Sequence, residues 1–175
     1  PISDIDDILP GLLEGRRRVH YHFGRDADFD LKLIGWLNRV RAQARQGAQP
    51  PQEFLELGHL LDEMRLFKSA DEVKLMQRAA DISVEAHRAA MRAARAGIHE
   101  YELQAEVERV FRMHDAQPAY GSIVGVGANA CVLHYRDNRA KSRDRELVLI
   151  DAGAEYRGYA ADITRTFPVN GRFGK

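Results

Sequence analysis

Leu147-Val148-Leu149-Ile150-Asp151-Ala152-Gly153-Ala154-Glu155-Tyr156-Arg157-Gly158-Tyr159-Ala160-Ala161-Asp162-Ile163-Thr164-Arg165-Thr166-Phe167 is the stretch from which the rest of the chain is best read. Both halves are rich in β-branched and aromatic residues, and Arg157-Gly158 lies between them, where a tight turn needs glycine's tolerance of positive φ. The pattern predicts a hairpin of two strands, 147–156 and 159–169. With the turn centred between Arg157 and Gly158, Asp151 falls opposite Thr164 and Gly153 opposite Asp162. Side chains alternate faces along a strand, so the two aspartates share one face as diagonal neighbours.

That placement has chemical consequences. A carboxylate closing four apolar strand residues is costly to desolvate unless it is paired or binds a metal. Two ionised carboxylates this close repel each other unless cations lie between them, and oxygen-rich sites favour hard divalent ions such as Mn²⁺ or Mg²⁺. The same spacing is compatible with two exposed strand ends paired to Arg157 or Arg165. Spacing alone does not decide between these.

Upstream of the hairpin, 122–126 and 131–135 also have strand composition. Before them the character is helical. Ser69 followed by Glu72 forms a capping-box signature ahead of a long helix, expected to carry Val73, Met76, Ala80, Val84 and His87 on one stripe and to stop at Gly97. A second helix is expected from about Glu100 to His114, with Leu103, Val107, Val110 and Phe111 inward and Pro118 ending it. Near the start, Val19 to Phe23 suggests a short strand closed by Gly24. Asp26 is placed to cap a helix with Phe29, Leu33, Leu37 and Val40 on one face. Residues 46–52 read as a linker, with 53–67 as further extended connection. The fold class is α+β, with a first segment at 1–60 and a second domain at 61–175.

Bulk composition narrows the function classes. The chain of 175 residues is 45% hydrophobic and 30% charged, which supports a packed core. Basic and acidic residues balance at 26 each, so no overall field points to nucleic acid or an anionic membrane. No apolar run approaches the roughly 20 residues that span a bilayer. The opening Pro1-Ile2-Ser3-Asp4-Ile5 lacks the basic-then-apolar order of a signal peptide. The single cysteine, Cys131, excludes an internal disulfide framework and fits a reducing, cytoplasmic setting.

Several motifs in order add a resemblance. Tyr120 and Ser122-Ile123-Val124, then Gly127, Asn129-Ala130 and Leu133-His134-Tyr135, are similar to a segment of the aminopeptidase P family. Asp151-Ala152-Gly153, Tyr156, Gly158-Tyr159 and Asp162-Ile163-Thr164-Arg165-Thr166-Phe167-Pro168 resemble that family's metal-binding hairpin. Met64-Arg65, Lys68-Ser69 and Glu72 resemble the start of its catalytic domain, the pita-bread fold shared with prolidase and methionine aminopeptidase. The resemblance covers about 60 to 175, the first half of a pita-bread domain. The preceding residues resemble, less specifically, the end of a creatinase-like N-terminal α/β domain.

The resemblance implies Xaa-Pro aminopeptidase activity by two-metal hydrolysis, releasing the residue that precedes a proline. Asp151 would bind one of two divalent ions, with Mn²⁺ expected, and Asp162 would bridge both. His134 would be catalytic, contacting substrate or stabilising the tetrahedral intermediate, and Thr164 would support the two carboxylates from behind. The family pattern also asks for one histidine and two glutamates beyond Lys175, so this chain alone is expected to be inactive. The expected partners are a peptide with proline second and further copies of the complete protein, a homo-oligomer, with neither nucleic acid nor membrane. Prolidase, or a pita-bread module kept for binding without catalysis, are the alternatives.

Other signals carry less. Gly125, Gly127 and Ala130 loosely match a dinucleotide fingerprint, but the following residues read as strand where a helix is required. Cys131 and His134, three apart on that expected strand, would face opposite ways and make no dyad, and Cys131 is expected to be a buried packing residue. His20 and His22 share a strand face without a third ligand. Arg16-Arg17-Arg18 and the stretch from Ala86 to Ala96 read as solvated surface.

Overall fold

The structure is a computed structural model that describes residues 2–174. The chain forms two compact units, divided between Lys68 and Ser69, where the sequence reading places the boundary after residue 60.

In the first unit, α1 (Ile5–Leu13) precedes β1 (Arg18–Tyr21), α2 (Ala27–Ala42), β2 (Glu53–Glu56) and α3 (Leu57–Leu66). β1 and β2 pair in parallel, with Val19 opposite Phe54, so α2 is the crossover that parallel pairing requires. The Asp26 carboxylate caps α2 by accepting from the Phe29 amide over 3.0 Å. Leu33 and Leu37 from this helix are buried with Leu13 and Trp36. The expected extended connection at 53–67 is instead a strand and a helix. Its first residues complete the parallel pair, and α3 packs against β1, which carries the unit as far as Lys68.

The second unit begins with the expected capping box. Glu72 N donates to Ser69 Oγ over 3.3 Å and Ser69 N to Glu72 Oε2 over 2.6 Å, opening α4 (Ala70–Ala93). α5 (Glu100–Met113) follows and buries Leu103, Val107, Val110 and Phe111. Three short strands, β3 (Gln117–Pro118), β6 (Ala154–Tyr156) and β7 (Tyr159–Ala160), make one antiparallel sheet in the order β3-β6-β7. β4 (Ile123–Val126), β5 (Leu147–Asp151) and β8 (Thr164–Pro168) make a second, in the order β4-β5-β8. The core lies between these strands and the two helices: Ile82, Phe111, Val124 and Ile150 are among its fully buried residues.

The hairpin has the expected register, with Tyr156 opposite Tyr159 and Asp151 opposite Thr164. Arg157 and Gly158 both take positive φ, 50° and 85°, as a two-residue turn of this hand needs. Each arm is broken, however, so that one hairpin belongs to two sheets. At the break, Ala152 N donates to Ile163 O and Ala161 N to Ala154 O, which keeps the register through the bend. A Cβ on Gly153 would lie 1.7 Å from the Ala161 carbonyl oxygen, so only glycine permits the crossing.

Three local expectations are corrected. The buried face of α4 is Ala79, Ile82, Ser83, Ala86, His87, Ala89 and Ala90, while Val73, Met76 and Val84 are exposed. Small residues let this helix approach its neighbours closely, and a reading weighted to large apolar side chains misses them. For the same reason the first part of 86–96 is buried surface, and the helix ends at Ala93. Residues 131–135 form no strand; a 3-10 turn over Gly127–Cys131 leads into an irregular loop, and Cys131 is exposed.

Candidate metal centre

β5 alternates between two environments. Val148 and Ile150 enter the core, whereas Leu149 and the half-buried Asp151 lie on the opposite face. Thr164, opposite Asp151 in the ladder, is exposed on that outer side. Asp162 follows the break in the hairpin and is also exposed.

A tyrosine brings the two aspartates together. The Tyr120 hydroxyl lies 2.6 Å from Asp151 Oδ1 and 3.1 Å from Asp162 Oδ1. Its single proton is therefore shared between two carboxylates. Burial, followed by the bond to Asp151, pushes the Tyr120 hydroxyl well above the ordinary tyrosine range, so it stays protonated and donating. Sequence reasoning placed Tyr120 in a motif but gave it no role. Its partners lie 31 and 42 residues away, beyond any local periodicity.

Beneath the aspartates, two buried groups of α4 hold the hairpin. Ser83 Oγ accepts from the Ala154 amide over 2.9 Å and donates to the Ala79 carbonyl over 2.8 Å. His87 Nε2 lies 3.1 Å from the Ala152 carbonyl, which makes this nitrogen the N–H donor. Its Nδ1 is buried without a hydrogen-bond partner among the described residues, and desolvation holds the imidazole below its ordinary pKa. Both contacts flank the break between β5 and β6, where Asp151 leaves the ladder.

An open depression of about 310 Å³ borders this face, lined by Ile123, Leu149, Asp151, Thr164 and the loop 130–134. His134 belongs to that loop, in the left-handed region at φ 52°. Among the described residues it makes no hydrogen bond, so its ring is available to a ligand in the depression. The structure thus brings His134, Asp151 and Thr164 to one concavity and joins Asp151 to Asp162 through Tyr120. No hydrogen bond links Thr164 Oγ1 to either aspartate among the described residues.

The donor set fits a hard cation. Two carboxylates converge on one point, one of them half-buried, and nothing basic pairs with either among the described residues. No third histidine, cysteine or acidic residue completes a cluster among the described residues. His20 and His22 of the first unit add none; His22 pairs with Glu56 at 2.9 Å.

Residues 74–175 match the model of metallopeptidase family M24. Over 172 residues, 98% of the chain, the sequence is 44% identical to a Xaa-Pro aminopeptidase of Escherichia coli, of which it spans 39%. It is 48% identical over 124 residues, 70% of the chain, to a Xaa-Pro aminopeptidase of Haemophilus influenzae, spanning 29% of that protein. The structure superimposes on Pseudomonas aeruginosa aminopeptidase PepP with a TM-score of 0.92 and 59% identity, covering 99% of this chain and 40% of that one. A zinc-substituted E. coli aminopeptidase P in complex with product gives 0.90 and 44% over the same shares. The α+β architecture is thus that of a partial pita-bread domain with the segment preceding it.

Proposed function

The chain belongs to metallopeptidase family M24, and from that premise we propose that the protein containing it is a Xaa-Pro aminopeptidase whose divalent-metal centre is built in part by Asp151 and Asp162. The observation that carries the proposal is the convergence of these two carboxylates on the Tyr120 hydroxyl, with Asp151 lining a depression that His134 also lines. The relatives are called Xaa-Pro aminopeptidases, and the chain spans well under half their length.

Asp151 and Asp162 would hold the ions, with Asp162 as the shared ligand and Mn²⁺ as the favoured metal for an all-oxygen pair. When bound, such ions polarise a peptide carbonyl and lower the pKa of water. The chain's own residues do the remaining work at this site. Tyr120 aligns the carboxylates, and the β4-β5-β8 sheet gives them a rigid base. His134, which makes no hydrogen bond among the described residues, would donate one to the substrate carbonyl as negative charge develops there. Leu149 and Ile123 offer an apolar floor beside it. Two ligands make only part of a centre. The 175-residue chain alone is expected to bind divalent ions weakly and to turn over no substrate. The lone, exposed Cys131 suits a reducing, cytoplasmic compartment.

The test uses the whole protein loaded with Mn²⁺ and a tripeptide with proline second. Release of the first residue is expected, and Asp162→Ala should abolish it while leaving the far-ultraviolet circular dichroism unchanged. Normal turnover by that variant would remove Asp162 from the centre. Cleavage confined to dipeptides would instead identify a prolidase.

A further inference from the structure

Glu100 is the first residue of α5 and is fully buried, an unusual place for a carboxylate. Its burial is matched by four donors. Oε1 accepts from the Val126 amide at 2.9 Å and from Asn129 Nδ2 at 3.1 Å. Oε2 accepts from the Tyr135 hydroxyl at 2.9 Å and from the Ala140 amide at 2.8 Å. Asn129 Nδ2 also donates to the Tyr135 hydroxyl at 3.0 Å, which closes the network.

These donors bracket one segment of chain. Val126 ends β4 and Asn129 lies in the 3-10 turn. Tyr135 and Ala140 lie in the irregular stretch that follows. Between Asn129 and Tyr135 stands His134, with a left-handed backbone and no hydrogen bond of its own among the described residues. A non-glycine residue keeps such a backbone only where its surroundings enforce it. The neighbouring Val132 and Leu133 are exposed, so packing does not supply the restraint. Next to His134 in sequence, Tyr135 is fixed twice, by its amide on the Val132 carbonyl at 3.3 Å, which closes a local turn, and by its hydroxyl on Glu100, which ties that turn to α5.

We propose that Glu100 is a positioning residue for His134, acting through Tyr135 and Asn129 to hold the 127–140 loop so that the imidazole overlooks the Asp151 depression. The proposal rests on the catalytic reading of His134 given above. A carboxylate suits the task because its two oxygens accept all four bonds at once, and because α5 begins at this residue, so the helix dipole favours the negative charge. A glutamine would turn one acceptor into a donor facing donors.

Tyr135→Phe is the sensitive probe, because it cuts the tether next to His134 and leaves Glu100 three donors. In the whole Mn²⁺-loaded protein, kcat for the tripeptide should fall roughly tenfold, the size of one lost charge-assisted hydrogen bond. KM and bound metal should stay unchanged. Amide exchange should quicken across 127–140 and not in α4 or α5. In a His134→Ala background, Tyr135→Phe should lower kcat no further. Glu100→Gln should repeat the pattern more strongly.

An equal fall in kcat with or without His134 would overturn the positioning role, and so would an unaltered kcat in the His134 parent. Unchanged exchange over 127–140 would overturn the clamp itself, whatever the kinetics. Quickened exchange in a parent that cleaves no tripeptide would instead reject the peptidase reading and, with it, the catalytic half of the proposal, leaving the clamp as a structural tether.

Discussion

The Tyr120 hydroxyl lies 2.6 Å from Asp151 Oδ1, closer than its 3.1 Å approach to Asp162 Oδ1. The proton therefore rests mainly with Asp151 and leaves Asp162 freer to engage a cation. Groups that hydrogen-bond metal ligands orient them, and their loss commonly costs 10-fold to 100-fold in affinity. Tyr120→Phe is expected to weaken Mn²⁺ binding by roughly tenfold with little change in fold. Isothermal titration of the metal-free protein measures this. An unchanged affinity would mean that Tyr120 is packing and not an organiser of the ligands.

The crossing of the hairpin arms makes a sharper prediction. A methyl at Gly153 meets the Ala161 carbonyl oxygen at 1.7 Å, and that oxygen is backbone, which cannot swing aside. Gly153→Ala should destabilise by about 3 kcal/mol or more. At the hairpin tip, Gly158 has open space but a φ of 85°, so Gly158→Ala should cost only the strain, about 1 kcal/mol. Urea unfolding of the two variants side by side checks the ordering. Equal losses would refute the steric account of the break.

This hairpin also marks how far the sequence could be read. Opposed positions in a hairpin follow from the turn alone, so the Asp151–Thr164 pairing was legible from the alternation and from Arg157-Gly158. The inward face of α5 was legible because large side chains form it. Glu100 was not. An acid in a first helical turn is ordinary, and its partners lie 26 to 40 residues downstream. Residues 131–135 misled for the converse reason. Their β-type composition is outweighed by the bonds of Asn129 and Tyr135 to Glu100, a tertiary override that no local window contains. On α4 the contact face is mostly alanine and serine around Ile82 and His87, and these small residues carry little hydrophobic signal.

Ser83 offers a test of how the hairpin is fastened. Its Oγ accepts from the buried Ala154 amide at 2.9 Å. Ser83→Ala leaves that amide without its partner in a dry site and should cost about 1–3 kcal/mol. The loss should appear in denaturant midpoint with an unchanged slope. A stability within experimental error of the parent would mean that water replaces the hydroxyl.

His87 should make stability depend on pH. Burial lowers its pKa from the ordinary 6.5; Arg165 adds to the lowering, while the nearby Ala152 and Ile163 carbonyls and the charge of Asp151 oppose it. The folded form therefore holds His87 neutral at pH values where the unfolded chain has taken up a proton. The unfolded state binds more protons there, so stability falls as pH falls. This contribution is complete above about pH 6.5 and is lost as pH drops toward the folded value. His87→Gln, which can still donate to Ala152, should flatten the decline in melting temperature of the metal-free protein below pH 6.5. An identical slope in parent and variant would assign the acid sensitivity to other groups.

His134 separates metal binding from catalysis. It lines the same depression as Asp151 but makes no hydrogen bond among the described residues, and it stands outside the carboxylate pair joined by Tyr120. A group placed there would act on the substrate and not on the ion. His134→Ala in the whole protein should keep its full metal content while kcat falls by roughly a hundredfold, as when one donor to a developing oxyanion is removed. Metal analysis of the dialysed variant, beside its kinetics on the tripeptide, distinguishes the roles. If the bound metal drops along with kcat, His134 is itself a ligand, and the loop that Glu100 holds would be part of the metal cage instead of a wall of the substrate site.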